Sequence, residues 1–213
     1  MKSIVFIAPP AAGKGTQSKL ISKKFGIPHI STGDLLRDTN NTEINKLLKK
    51  GHLVDDKLII PLLEERLKNK DCDNGYILDG FPRNLTQAYS YEKLLDKLGK
   101  REGIVIILEL EKEISQKRII GRLVCHECGA IYNELFEEDK PKIKGICNFC
   151  KSTLTKREDD NLETFENRYN IYEKETGSLI NYYKDKGIAY LVDSGIGEDY
   201  TFNEINKIIG GVV

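Results

Sequence analysis

The chain has 213 residues, 39% hydrophobic and 31% charged, enough for one core with small inserts and unlike the composition of a disordered chain. Its 33 basic and 33 acidic residues cancel, so no global field recruits nucleic acid or anionic lipid. The longest apolar runs, Ile104 to Leu108 among them, fall far short of the roughly 20 residues of a membrane helix, and Ile4 to Ile7 is too short for a secretory signal, so the expected compartment is the cytosol.

Ser3 to Ile7 has the β-branched and aromatic pattern of a buried strand. Lys14 to Phe25 follows as a helix stopped by Gly26. His29-Ile30 is a short strand, and Ser31 or Thr32 is placed to cap a second helix. Asn45 to Leu67 is helical, with breaks expected at Gly51 and Pro61. Tyr76 to Asp79 is a strand ending in a carboxylate, Leu85 to Leu98 a helix, and Ile104 to Leu110 a strand apolar enough to be covered on both faces. Glu113 to Gly121 is a helix. Leu162, Phe165, Tyr169 and Tyr172 make one stripe of a later helix, with Asp160 and Glu163 as its expected capping box. Ile188 to Asp193 is a last strand, and the stretch from Gly195 onward is too generic to assign contacts. Alternating strands and helices imply an α/β fold with a parallel sheet covered on both faces.

Gly121 to Arg157 breaks this pattern. It holds four paired cysteines and few long apolar residues, so it reads as a small inserted module that needs a staple. Cys125-x-x-Cys128 and Cys147-x-x-Cys150 stand eighteen residues apart, the spacing of a four-thiolate zinc site. Such a site is closed, hence structural; four thiolates also accept iron, and disulfides are the alternative. The module carries seven basic and five acidic residues, which does not resemble a nucleic-acid patch. Cys72 stands alone, and neither His29 nor His52 has a recognisable spacing.

Ala8 to Thr16 lies between strand and helix. Gly13-Lys14-Gly15-Thr16 has the logic of a phosphate loop: backbone N–H groups and a helix N-terminus face an anion, and Lys14 adds a charge. Ala8 stands where the loop pattern has its first glycine. Ala11 is tolerable there if its φ is negative. Asp79 ends its strand as a metal-site carboxylate does. Arg37, Arg83, Arg118, Arg122, Arg157 and Arg168 all flank expected strand ends, loops or helix starts, where guanidinium forks suit phosphoryl charge.

Together with Ser31-Thr32-Gly33-Asp34-x-x-Arg37, Asp79-Gly80-Phe81-Pro82-Arg83, Gly121-Arg122, the four-cysteine insert and Arg157 to Asn161, these motifs resemble adenylate kinase of the bacterial type with a zinc-bearing lid, over essentially the whole chain. The resemblance implies ATP + AMP to 2 ADP with Mg, in a monomer without nucleic-acid or membrane partners. It implies a five-stranded P-loop kinase core (1–30, 61–120 and 158–213), a helical NMP-binding insert (31–60) and a zinc-binding lid (121–157). By motif, Gly13, Lys14, Gly15 and Thr16 cradle ATP phosphates with Arg118 and Arg122. Thr32, Arg37, Val54, Gly80, Arg83 and Gln87 line the AMP site, joined by Arg157 and Arg168. Lys14, Arg83, Arg118, Arg157 and Arg168 surround the transferring phosphoryl group. Asp79 and Thr16 are associated with Mg, Asp159 and Asp160 with lid closure, and Cys125, Cys128, Cys147 and Cys150 with zinc. Three positions depart from the pattern: Ala8 and Ala11 stand where relatives carry glycine, which is expected to weaken ATP binding or distort the loop, and Leu123 stands where many carry a second arginine. Alternatives are a kinase for another nucleoside monophosphate, a weakened nucleotide-binding relative, or a zinc-ribbon nucleic-acid binder.

Overall fold

The structure, a computed structural model, describes residues 3–50, 52 and 54–212. Five parallel strands form the central sheet: β1 (Ile4–Ile7), β2 (His29–Ser31), β3 (Ile77–Asp79), β4 (Ile104–Glu109) and β8 (Ala189–Asp193), in the order β2-β3-β1-β4-β8. β5 (Arg122–Cys125), β6 (Ile131–Asn133) and β7 (Leu154–Thr155) form a separate antiparallel sheet in the order β6-β5-β7. The α/β expectation holds.

Strand alternation builds two cores. Val5, Ile7, Val105 and Ile107 point to one face, with α4 (Asp56–Leu67), α5 (Leu85–Lys97) and α7 (Leu162–Asp185). Ile4, Phe6, Ile104 and Ile106 point to the other, with α1 (Lys14–Phe25) and α8 (Glu198–Val212). β1 is buried along its whole length because both faces are covered. β1 leads away to β2 on one side, and β3 leads to β4 on the other. The carboxyl ends of β1 and β3 therefore flank a topological switch point, where sheets of this kind bind ligands.

Between β2 and β3 run α2 (Thr32–Asp38), α3 (Thr42–Lys49) and α4. Ser31 caps α2 by accepting from the Asp34 N–H. α3 begins earlier than expected, because the Asn41 side chain accepts from the N–H groups of Glu43 and Ile44. The break expected at Gly51 lies outside the described residues. The break expected at Pro61 does not occur, since α4 runs through it. A missing helical bond costs about 3 kcal/mol. Ile59, Leu63 and Leu67 bury one face of α4, each worth about 1.5–3 kcal/mol, so packing wins.

α6 (Lys112–Ile120) leads into the β5-β6-β7 unit, whose core is small: Cys125, Tyr132, Cys147 and Leu154, with Leu123 and Ala130 against them. Leu123 thus contributes packing where the resemblance expects a charge.

Two further expectations are corrected. Asp160 does not cap α7; its carboxylate pairs with Arg122, and the Asn161 side chain accepts from the Thr164 N–H at 2.9 Å. Ala11 does not take a negative φ. It sits at +55°, in the left-handed region, beside Gly13 at +85°. We predict that Asn161→Ala lowers stability by about 1 kcal/mol in urea unfolding. A loss below a few tenths would remove Asn161 as the cap.

Candidate active site

A cavity of about 250 Å³ opens at the carboxyl ends of β1 and β3. Lys14, Arg37, Asp79, Gly80, Arg83, Arg122, Arg157, Asp159 and Arg168 all line it. They come from six separate chain segments, so the fold and not local sequence assembles them.

Lys14 opens α1, and Gly13 precedes it in the left-handed conformation that lets the chain turn. The Lys14 Nζ donates to the Ala8 carbonyl at 3.3 Å. Burial pushes the Lys14 ammonium below its ordinary pKa; Arg83, Arg168 and Arg122 push the same way, against Asp79. Burial pushes the Asp79 carboxyl up, but the His29 ring and the Lys14 and Arg83 charges outweigh it and hold it below the usual range. His29 Nε2 stands 3.4 Å from Asp79 Oδ2.

Gly80 follows Asp79 at φ +87°, and a Cβ there would stand 2.8 Å from Thr32 Oγ1. Thr32 is buried and donates to the Asp79 carbonyl at 3.1 Å. Arg83 is aimed by two bonds: its Nε donates to the Gly80 carbonyl at 2.8 Å, and its backbone N–H to Gln87 Oε1 at 2.9 Å. Gln87 Nε2 in turn donates to Asp56 at 2.9 Å. Burial, and then the facing Arg168, lower the Arg83 pKa.

Arg168 is the seventh residue of α7, inside the helix and not at a helix start. It pairs with Asp159 and donates to the Leu48 carbonyl at 3.3 Å, which brings α3 and α7 to the cavity. Arg122 and Asp160 form a forked pair, with the Nε contact at 2.7 Å and the Asp160 side chain fully buried. Burial, and then Arg122, lower the Arg157 pKa.

Some expected residues stand outside the cavity wall. Arg118 donates to the Ser194 carbonyl at 3.1 Å and faces Asp139, Asp193 and Glu138. Val54, Thr32 and Gln87 are buried and do not line the cavity. Gly15 and Thr16 lie in the first turn of α1. Sequence reasoning missed His29, His52, Ile119, Ile171, Tyr172 and Thr176 as site residues; all but His29 line the cavity. A register would have found His29: it pairs with Ile77 in β3, two positions before Asp79 and therefore on the same face.

The four cysteine sulfurs lie within 4.8 Å of one another, and none of the four cysteines lines the cavity. Cys125 and Cys150 Sγ are 3.3 Å apart, and Cys128 and Cys147 Sγ 3.5 Å. A disulfide needs about 2.05 Å. A tetrahedral thiolate zinc site, at about 2.3 Å per bond, has sulfur edges of about 3.8 Å. The donor set therefore fits a metal. Its two halves repeat one turn: Gly129 N–H donates to the Cys125 carbonyl and Cys125 N–H to the Ala130 carbonyl, while Lys151 N–H donates to the Cys147 carbonyl and Cys147 N–H to the Ser152 carbonyl. Gly129 and Lys151 occupy matching left-handed positions, at +70° and +67°.

The adenylate kinase family profile matches residues 6–188. The chain belongs to the adenylate kinase family. It is 44% identical to an adenylate kinase of Caldanaerobacter subterraneus subsp. tengcongensis, covering 98% of this chain and 96% of the relative. It is 42% identical to an adenylate kinase of Archaeoglobus fulgidus (97% of each chain) and 41% identical to one of Clostridium botulinum strain Loch Maree (97% and 98%). Membership makes it a nucleoside monophosphate kinase, a phosphotransferase.

Asp160→Ala leaves the Arg122 guanidinium shielded and unpaired. The expected loss is about 3 kcal/mol or more. Urea unfolding measures it, and a loss under about 1 kcal/mol would show that the pair holds nothing together.

Proposed function

We propose that this chain catalyses ATP + AMP to 2 ADP and the reverse. The observation that carries the proposal is the convergence of Lys14, Arg83, Arg122, Arg157 and Arg168 with Asp79 on one cavity at the sheet's switch point. Phosphoryl transfer needs alignment and neutralisation of spread negative charge more than covalent help. Cations already gathered around one cavity supply that with little reorganisation.

Gly13, Lys14, Gly15 and Thr16 would receive the ATP phosphates at the α1 N-terminus. Arg37, Arg83 and Gly80 would hold the AMP side, supported by the buried Thr32, Val54 and Gln87. Arg157 and Arg168 would face the phosphoryl group in flight. Arg118 would serve ATP from outside the present cavity wall. Mg, which the family uses with ATP, would sit beside Asp79 and Thr16 and neutralise phosphate charge.

Residues 31–60 would act as the NMP-binding unit, 121–157 as the lid, and the remainder as the core. Closure would exclude water, which competes with AMP as acceptor. Asp159 and Asp160 would set the closed position through Arg168 and Arg122. Zinc on the four cysteines would replace the hydrophobic core that the lid lacks, supplying roughly 10–16 kcal/mol as in small zinc peptides. We propose a monomer working in a reducing cytosol, without nucleic-acid or membrane partners. Among the described residues no helix is long and apolar enough to cross a membrane.

The test is ADP formation from ATP with AMP, CMP, UMP or GMP and Mg. AMP should be the preferred acceptor, and Lys14→Met should lose about 10³-fold or more. Wild-type turnover no higher than that of Lys14→Met would sink the proposal; preference for another monophosphate would change the substrate. Stripping the metal with a chelator should lower the melting temperature well before low-temperature turnover falls. Immediate loss of activity with unchanged melting would instead place the metal in catalysis.

A further inference from the structure

Ala11 holds a conformation that glycine reaches freely and alanine does not, at φ +55°. Such a residue persists only where its surroundings determine it. Two contacts do so here. Ala11 packs against the buried cluster that Ile119 of α6 forms with Phe165 and Tyr169 of α7. One residue earlier, the Pro10 carbonyl accepts from Ser115 Oγ at 2.5 Å, and Ser115 of α6 is fully buried. Both anchors reach the loop from helices more than a hundred residues away in sequence. Ala8, Pro10, Ala11 and Lys14 together form one wall of the cavity.

We infer that the Ala11 methyl and the Ser115 hydroxyl are positioning groups that hold the phosphate loop in its anion-receiving shape before nucleotide arrives. The inference rests on the proposed ATP-binding role of this loop. A glycine at position 11 relieves the left-handed backbone, but it removes the methyl anchor, so that nothing then ties residue 11 to α6 and α7. ATP then binds only the fraction of molecules whose loop is correctly shaped, so its apparent affinity falls by that fraction. Once ATP is bound, the loop is ordered by its phosphates. The effect therefore belongs to the KM for ATP, not to kcat, and not to the AMP side, which other loops form.

The experiment compares Ala11→Gly, Ala11→Ser and Ser115→Ala with the wild type and Lys14→Met, by steady-state kinetics in both substrates. Ala11→Gly and Ser115→Ala should each raise the KM for ATP about 5-fold. Their kcat at saturating ATP should stay within about 2-fold, with the KM for AMP unchanged. Ala11→Ser keeps the Cβ and should restore most of the affinity. An unchanged or lower KM for ATP in Ala11→Gly, with Lys14→Met inactive, would overturn the anchor and leave the phosphate-loop reading intact. Equal rises in both KM values, or a collapse of kcat, would overturn it as well, because the loss would then be general distortion. A fully active Lys14→Met would remove the phosphate-loop reading and the inference with it.

Discussion

Like charges held close together around one cavity set the terms for everything else in this protein. Six lysine and arginine side chains line the cavity among the described residues, against two carboxylates. Arg37, Arg122 and Arg168 are paired with Asp34, Asp160 and Asp159, so a smaller excess of positive charge remains, and after burial itself neighbouring arginines lower the pKa values of Arg83 and Arg157. In the proposed function, an incoming phosphate chain would neutralise that excess. The stability needed to tolerate it comes from elsewhere, mainly the double-faced core around β1 and β4.

The few acids near the site have separate tasks. Asp79 sits between Lys14 and His29 at the end of β3. Asp159 holds Arg168, and Asp160 holds Arg122. These pairs point the guanidinium forks and offset part of the cavity's positive charge. Orientation also comes from carbonyls: Gly80 for Arg83 and Leu48 for Arg168. The peripheral β5-β6-β7 unit, by contrast, has too little apolar mass to hold itself, and its cysteine turns fit a metal that would do so.

Much of this was legible in the sequence. Strand and helix order followed from apolar periodicity, and the cysteine pairs from their spacing. Gly13-Lys14-Gly15-Thr16 and Asp79-Gly80-Phe81-Pro82-Arg83 marked the site because local backbone geometry and chemistry coincide there. What was not legible depends on distant partners. Helix α4 continues through Pro61 because three buried side chains outweigh one lost bond. Asp160 is drawn to Arg122, leaving Asn161 to cap α7. Ala11 is held in a left-handed conformation by residues of α6 and α7. His29 joins the site only through the pairing of β2 with β3. Arg118 faces Ser194 rather than the cavity, which no spacing in the chain discloses.

The most direct test of the charge account is thermal unfolding of Lys14→Met beside the wild type, both free of nucleotide at neutral pH. A lysine whose folded-state pKa is lowered binds its proton less well in the native state than in the unfolded chain. Its charge therefore costs stability at neutral pH, and that cost disappears only as pH rises through the folded pKa. Methionine keeps most of the side-chain length and removes the charge. The account predicts a melting temperature above that of the wild type. A lower one, with the fold intact, would contradict it and show that the Lys14 charge holds the loop together.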